Sequence, residues 1–227
     1  MRFSRSACAI LACALAAACH SPPSDAVDAV DGSAPASSKS TWSLVCNFDS
    51  AAPGTLPSGF SVSSGEWSVI EDPSAPSPTH ALAQTAKSPE SAFNLVWMDD
   101  VKQADVDLAV KIKSAAGEID QGGGLAWRVH DARNYYVARY NPLEHNLRIY
   151  KVIDGERKQL QSANVPLSSG WHDLRVTMRG DTIRTYIDGS PYATARDSSF
   201  VGAGKVGLWT KSDAQTHFDD LRIGELH

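Results

Sequence analysis

Cysteine is scarce where it would count: of the four in the chain, Cys8, Cys13 and Cys19 lie near its start and only Cys46 lies further on. A disulfide framework is thereby excluded, and the body of the chain must be held together by burial alone. Long apolar runs are missing as well, since none reaches the roughly 20 residues of a spanning helix. Positive charge is in deficit, with 21 Lys and Arg against 26 Asp and Glu and a net charge of −5. The basic stripe that holds nucleic acid is absent, which excludes nucleic acid as a partner. Common catalytic signatures are also lacking. There is no Gly-x-Ser-x-Gly elbow, no Gly-rich phosphate loop followed by Lys and Ser or Thr, and no His-x-x-x-His pair. The 7 histidines are scattered, so no zinc site is expected. No segment carries a helical apolar stripe.

What is present begins with Arg2 and Arg5, an apolar stretch, and small residues up to Cys19. That order is an export signal, to be set aside from the fold. Leu15-Ala16-Ala17-Ala18-Cys19 resembles a bacterial lipobox, although Ala16 stands where Leu is usual. Cys13, after Ile10-Leu11-Ala12, has the same spacing, and a plain secretory peptide cut near Ala18 is the alternative. We take residues 1–18 as a lipoprotein-type signal peptide with Cys19 as the lipidation site. Residues 19–40, rich in Ser, Pro, Ala and Asp, read as a disordered tether. Residues 41–227 form the folded domain. The expected location is the bacterial cell envelope, in the periplasm or anchored to the outer membrane, with membrane contact through the lipid alone.

Within the domain the dominant period is two. Val106, Leu108, Val110 and Ile112 alternate with Asp107, Ala109 and Lys111, and Leu174, Val176 and Met178 alternate with Asp173, Arg175, Thr177 and Arg179. Such alternation suits strands with one face on a core and one in water. Asp154-Gly155, Gly180-Asp181 and Asp188-Gly189 supply the residues that tolerate positive φ in tight hairpins. Strands are expected near 43–48, 67–71, 81–85, 92–97, 105–113, 124–130, 135–141, 146–152, 157–162, 172–179, 182–187, 192–196, 204–209 and 217–223. Many short antiparallel strands without helices must bury one sheet against another, which gives an all-β sandwich.

Two stretches carry a resemblance. They are Asp120–Gly155, D-Q-G-G-G-L-A-W-R-V-H-D-A-R-N-Y-Y-V-A-R-Y-N-P-L-E-H-N-L-R-I-Y-K-V-I-D-G, and Gly204–Ile223, G-K-V-G-L-W-T-K-S-D-A-Q-T-H-F-D-D-L-R-I. Together they resemble the bacterial 3-keto-disaccharide hydrolase domain, often labelled family 16 glycoside hydrolase, of the concanavalin A-like lectin and glucanase superfamily. The resemblance implies a jelly roll of two curved antiparallel sheets with its ligand in the concave face. It also implies that the first and last strands are adjacent, pairing Val45–Phe48 with Phe218–Ile223. The Glu-x-Asp-x-x-Glu motif of true family 16 glucanases begins at Glu118-Ile119-Asp120, but Gly123 stands where its last carboxylate belongs. The two-carboxylate retaining mechanism is therefore not expected from this segment.

The polar and aromatic residues concentrate between Trp127 and Tyr150. Period two puts Leu125, Trp127 and Val129 on one face and Ala126, Arg128 and His130 on the other. Arg139 and Asn141 share a face with Tyr135 and Val137, and Asn146, Arg148 and Tyr150 share one on the following strand. Guanidinium, amide and carboxylate groups fork onto sugar hydroxyls while an aromatic ring covers the C–H face of the sugar, so a carbohydrate ligand is expected. The candidate binding residues are Arg128, Arg139, Asn141, Asn146 and Tyr150, joined through the resemblance by Gln121, Trp209 and Lys211. A 3-keto sugar has an acidified C2 proton, so a single base could cleave its glycosidic bond by elimination and rehydration. Glu144, Asp120 and His130 are the candidate bases. The leading expectation is cleavage of 3-keto-glycosides or related sugars. A glycan-binding lipoprotein without catalysis is the alternative, and a structural envelope lipoprotein the second. No cofactor is expected other than a candidate structural calcium at Asp49, Asp219 and Asp220.

Overall fold

The computed structural model describes residues 42–166 and 170–224. The signal peptide, the tether and Cys19 lie outside the described residues. Along the chain run β1 (Trp42–Cys46), β2 (Phe60–Ser64), β3 (Trp67–Glu71), β4 (His80–Gln84), β5 (Phe93–Gln103) and β6 (Val106–Ala116). They are followed by β7 (Gly123–Asp131), β8 (Asn134–Asn141), β9 (Asn146–Ile153), β10 (Glu156–Asn164) and β11 (His172–Arg179). The last four are β12 (Thr182–Ile187), β13 (Ser190–Arg196), β14 (Gly204–Lys211) and β15 (Gln215–Gly224). Among the described residues there is no helix, and the strands form two antiparallel sheets.

The larger sheet has the order β13-β12-β11-β6-β15-β4-β3, with β1 also pairing β15. The smaller has the order β10-β9-β8-β7-β14-β5-β2. Each expected strand is present, and the first and last strands pair as expected, Val45 opposite Arg222 and Cys46 opposite Leu221. The additional strand is β2. Its sequence, Phe-Ser-Val-Ser-Ser between Gly59 and Gly65, carries little β-branched signal, and as an edge strand it pairs β5 alone. The three expected hairpins are also there. Asp154 and Gly155 have φ of 52° and 85°, Gly180 has 58°, and Asp188 and Gly189 have 50° and 78°.

The core lies between the sheets. Leu108, Val110, Ile112, Leu174 and Val176 from the larger sheet meet Val96, Leu125, Trp127, Tyr136, Ile149 and Leu208 from the smaller. Trp127 is fully buried, stacks on Tyr136 with centroids 5.6 Å apart, and donates its indole N–H to Met178 Sδ across the sandwich at 3.1 Å. Burying a large side chain of this kind contributes about 3 kcal/mol. The smaller sheet has a second apolar cluster on its outer face, made by Leu95, Ala126, Val129, Tyr135, Val137, Tyr150, Val152 and Trp209. A face turned away from the core is normally polar, yet these residues are buried as well.

Strict alternation fails at several bulges, of which the one in β7 bears on the site. Arg128 has φ of 45°, and the pairing of β7 shifts register between Trp127 and Asp131. An inserted bulge residue reverses the facing of the residues after it. Val129 therefore joins the outer cluster instead of the core face shared by Leu125 and Trp127.

Candidate functional site on the outer face of the smaller sheet

Cross-strand register assembles the site. Trp209 pairs Gly124, Gly124 pairs Arg139, and Arg139 pairs Arg148, so these four form one row across β14, β7, β8 and β9. Asn141 pairs Asn146 in the row beside it. Gly124 admits no side chain, because a Cβ there would stand 1.7 Å from the Ala138 carbonyl oxygen. The loop between β6 and β7 then brings Asp120 over this end of the sheet, and the turn between β8 and β9 brings Glu144. Asp213 holds the first loop in place by accepting the backbone N–H groups of Glu118, Ile119 and Asp120 at 2.7, 3.1 and 2.9 Å.

Arg139 lies at the centre. Its Nη1 donates to Asp120 at 3.2 Å and its Nη2 to Glu144 Oε2 at 2.6 Å. Asp120 also accepts from Asn141 Nδ2 at 2.8 Å and from its neighbour's backbone, Gln121 N–H, at 3.0 Å, and Lys211 Nζ stands 3.4 Å away. Glu144 Oε2 further accepts from Arg148 Nη1 at 2.7 Å and Asn146 Nδ2 at 3.0 Å. The floor is dry and the rim is wet: the side chains of Arg139 and Asp120 keep 2% and 4% of their surface, against 42% for Glu144 and 30% for Arg148. Burial pushes the Glu144 carboxyl up, but the Asn146 hydrogen bond and the Arg139 and Arg148 guanidinium groups outweigh it and hold it below the usual glutamate value. Glu144 is therefore an anion across the neutral range and a weak proton acceptor.

Arg157, which no periodicity or motif singles out, reaches across this face from β10. Its guanidinium carbon lies 4.3 Å from the Tyr150 ring centroid and 5.6 and 5.8 Å from those of Phe93 and Trp209. Burial and the neighbouring Arg139 charge work against its protonated form, lowering its pKa from the ordinary arginine value, while Tyr150, Asp120 and Glu144 work in its favour. Its Nη1 and the Nε of Arg139 are both buried without a hydrogen-bond acceptor.

The structure thus brings together Asp120, Arg139, Asn141, Glu144, Asn146, Tyr150 and Lys211. Trp209 is fully buried, donates to the Tyr135 hydroxyl at 3.1 Å and lies against Phe93, so it has no bare ring face for a sugar. Tyr150 is covered by Arg157 in the same way. Gln121 braces its own loop, donating to the Gly117 carbonyl at 2.9 Å.

Arg128 and His130 do not join this group. The bulge turns the Arg128 guanidinium onto the carbonyls of Ala104 (2.6 Å), Gly180 (2.8 Å) and Phe200, at the end of the sandwich that carries the β5–β6 and β11–β12 turns. Asp120 belongs to the opposite end of β6. The expectation that Arg128 points outward beside Arg139 and Glu144 is therefore corrected: it closes three loops and is 1% exposed, so it offers no open donor to a ligand. His130 packs on Phe200 near Arg128, with centroids 5.4 Å apart, away from the acids. The expected calcium acids do not gather into a ligand set. Asp219 accepts Ser77 N–H and Oγ–H at 2.8 and 2.9 Å, and Asp49 is bonded to Asn47 and the His80 N–H. Among the described residues no group of three or more His, Cys, Asp or Glu side chains is placed to hold a metal ion.

No family model matches the chain, and no curated protein matches its sequence. Solved structures do match its fold. Carbohydrate-binding module CBM66 from Bacillus subtilis is 19% identical with a TM-score of 0.62, over 74% of this chain and 96% of that one. Cellulose-induced protein Cip1 is 14% identical with a TM-score of 0.61, over 81% and 97%. The GH43 protein BlXynB from Bacillus licheniformis is 17% identical with a TM-score of 0.54, over 76% of this chain but only 38% of that one. At these identities the likeness is one of fold.

Proposed function

We propose that this domain binds carbohydrate on the outer face of the smaller sheet. The observation that carries the proposal is the Asp120–Arg139–Glu144–Arg148 network, a buried ionic floor that rises to a half-exposed rim. Fixed forks of guanidinium, amide and carboxylate groups are what vicinal hydroxyls require, and their mutual bonds keep them in place before a ligand arrives. The fold shared with a protein named as a carbohydrate-binding module supports the same reading. The opening residues support export and a lipid anchor at Cys19 in the bacterial envelope, which would hold the domain where glycans are met.

Cleavage of 3-keto-glycosides is the second reading, and it draws on the half-exposed Glu144, the one acid of the network that solvent reaches. Against it, Glu144 shares its charge with two guanidinium groups, and Asp120 is buried with its oxygens taken. Both conditions suit holding more than proton transfer.

A glycan array probed with the full chain, run beside turnover of a 3-keto-glucoside, tests both. The expected result is array binding that falls about tenfold in Glu144→Gln, the loss of roughly 1.4 kcal/mol carried by one charge-assisted contact, with no turnover. Turnover abolished by Glu144→Gln would replace binding with cleavage. Binding to no glycan and no turnover would leave the structural lipoprotein.

A further inference from the structure

The charge at this face is unbalanced. Arg139, Arg148, Arg157 and Lys211 surround two carboxylates, Asp120 and Glu144. Asp213 keeps its charge but spends its oxygens on backbone N–H groups of the β6–β7 loop, and Glu118 of that loop is exposed. The positive excess also has a direction. Arg139 and Arg157 both face the Tyr150 ring, with guanidinium carbons 5.8 and 4.3 Å from its centroid. Like charges crowded over one ring repel, and each of these two holds a buried N–H with no acceptor, Nε of Arg139 and Nη1 of Arg157. Arg139 itself is 1% exposed, so bulk solvent does not reach this donor. A neutral sugar brings hydroxyls, which satisfy donors but leave the charge. An anionic oxygen pair answers both, and the planar fork of an arginine matches it.

We propose that the sugar taken at this face is acidic, with its carboxylate or sulfate group received between Arg139 and Arg157 as the Arg157 side chain swings off the Tyr150 ring that it covers. This rests on the carbohydrate reading above and narrows it. Glu144 and Arg148 at the rim then meet the hydroxyls, while the inner pair of guanidinium groups reads the acid.

The test is calorimetric titration of the full chain with acidic polysaccharides, each paired with its own neutral counterpart of identical linkage. Polyuronates are compared with their carboxyl-reduced forms, sulfated glycans with their desulfated forms, and inorganic sulfate is titrated alone. The expected result is at least tenfold tighter binding of one acidic member over its counterpart, weakening with added salt. Gain with the polyuronates only identifies a carboxylate, and gain with the sulfated glycans only identifies a sulfate. Arg157→Gln is expected to remove the gain while the chain still melts cooperatively. The wild-type ratio of acidic to neutral form decides the matter should that variant fail to fold. Equal binding of both members of every pair overturns the proposal and leaves the carbohydrate reading standing. Binding of no polysaccharide here or on the array overturns both. Inorganic sulfate bound as tightly as the acidic polymers overturns the sugar part, leaving a simple anion site.

Discussion

Arg139 and Asp120 pair at 3.2 Å with their side chains almost wholly removed from water, on the face of the sheet that would ordinarily be its wet side. Desolvating two such ions is costly, and the attraction between them returns that cost only when every remaining donor and acceptor is met. Asp120 meets this condition through Asn141, Lys211 and the Gln121 N–H. Arg139 does not, since its Nε stays unmet. The pair is therefore an arrangement kept at some expense to stability, as binding sites commonly are.

Removing Asp120 strands the buried guanidinium. Asp120→Ala is expected to lower unfolding free energy by about 3 kcal/mol, whereas Glu144→Gln, at the 42% exposed rim, is expected to cost under about 1 kcal/mol. Urea denaturation of the two variants measures the difference, and equal losses would mean that the floor and rim are not distinct.

Arg128 serves the far end of the sandwich, so its loss separates fold from site. Arg128→Met removes charge-assisted bonds to the Ala104, Gly180 and Phe200 carbonyls and is expected to cost about 3 kcal/mol or more. Glycan affinity, measured on the folded fraction, is expected to be unchanged. A parallel loss of affinity would return Arg128 to the binding surface.

Acid should weaken the fold in a defined window. Burial raises Asp72 and Asp197, but hydrogen bonds outweigh it, from Lys113, Ser74 and His217 on the first and from Lys151, Tyr136 and Ser199 on the second, and both carboxyls lie well below the usual aspartate value. Glu144 is lowered as well. A carboxyl lowered by folding stabilises above its unfolded value, and that contribution drains away as pH falls through the folded value. Stability is therefore expected to hold from neutrality to about pH 4 and to drop steadily below it. Asp219, raised by burial in spite of its bonds from Ser77 and the Asp220 N–H, runs the other way and offsets part of the fall. Lys113→Met should make the acid slope shallower in urea midpoints taken across this range, and an unchanged slope would mean that Asp72 does not contribute to it.

The hairpin glycines can be tested one at a time. Gly189 has φ of 78°, and a Cβ placed there would meet nothing within 4 Å, so its constraint is conformational and not steric crowding. Gly189→Ala is expected to cost about 1 kcal/mol and Gly189→Asn less, because Asn tolerates the left-handed region better. Thermal melts check the order of the two.

Much of this is legible in the sequence, because strand alternation and turn residues act locally. The hairpins at Asp154-Gly155, Gly180-Asp181 and Asp188-Gly189 follow from φ preferences alone. The grouping of Arg139, Asn141, Asn146 and Tyr150 follows from period two along β8 and β9. Arg128 is misplaced by alternation because a bulge is one residue wide and leaves no periodic trace, and a basic residue there looks like any other outward side chain. Arg157 is hidden for a different reason. It sits in a polar edge strand, E-R-K-Q-L-Q, and only the fold shows that its side chain crosses the sheet to Trp209.

The placement of β14 and β15 governs when the molecule can close. β15 joins β6 to β4 and β1, and β14 joins β7 to β5. Without Gly204–Gly224, each sheet is a set of separate ribbons with open edges and no central strand to bridge them. A chain cut short before Gly204 is thus left with unbridged strand edges, and the sandwich closes only when these two strands are in place.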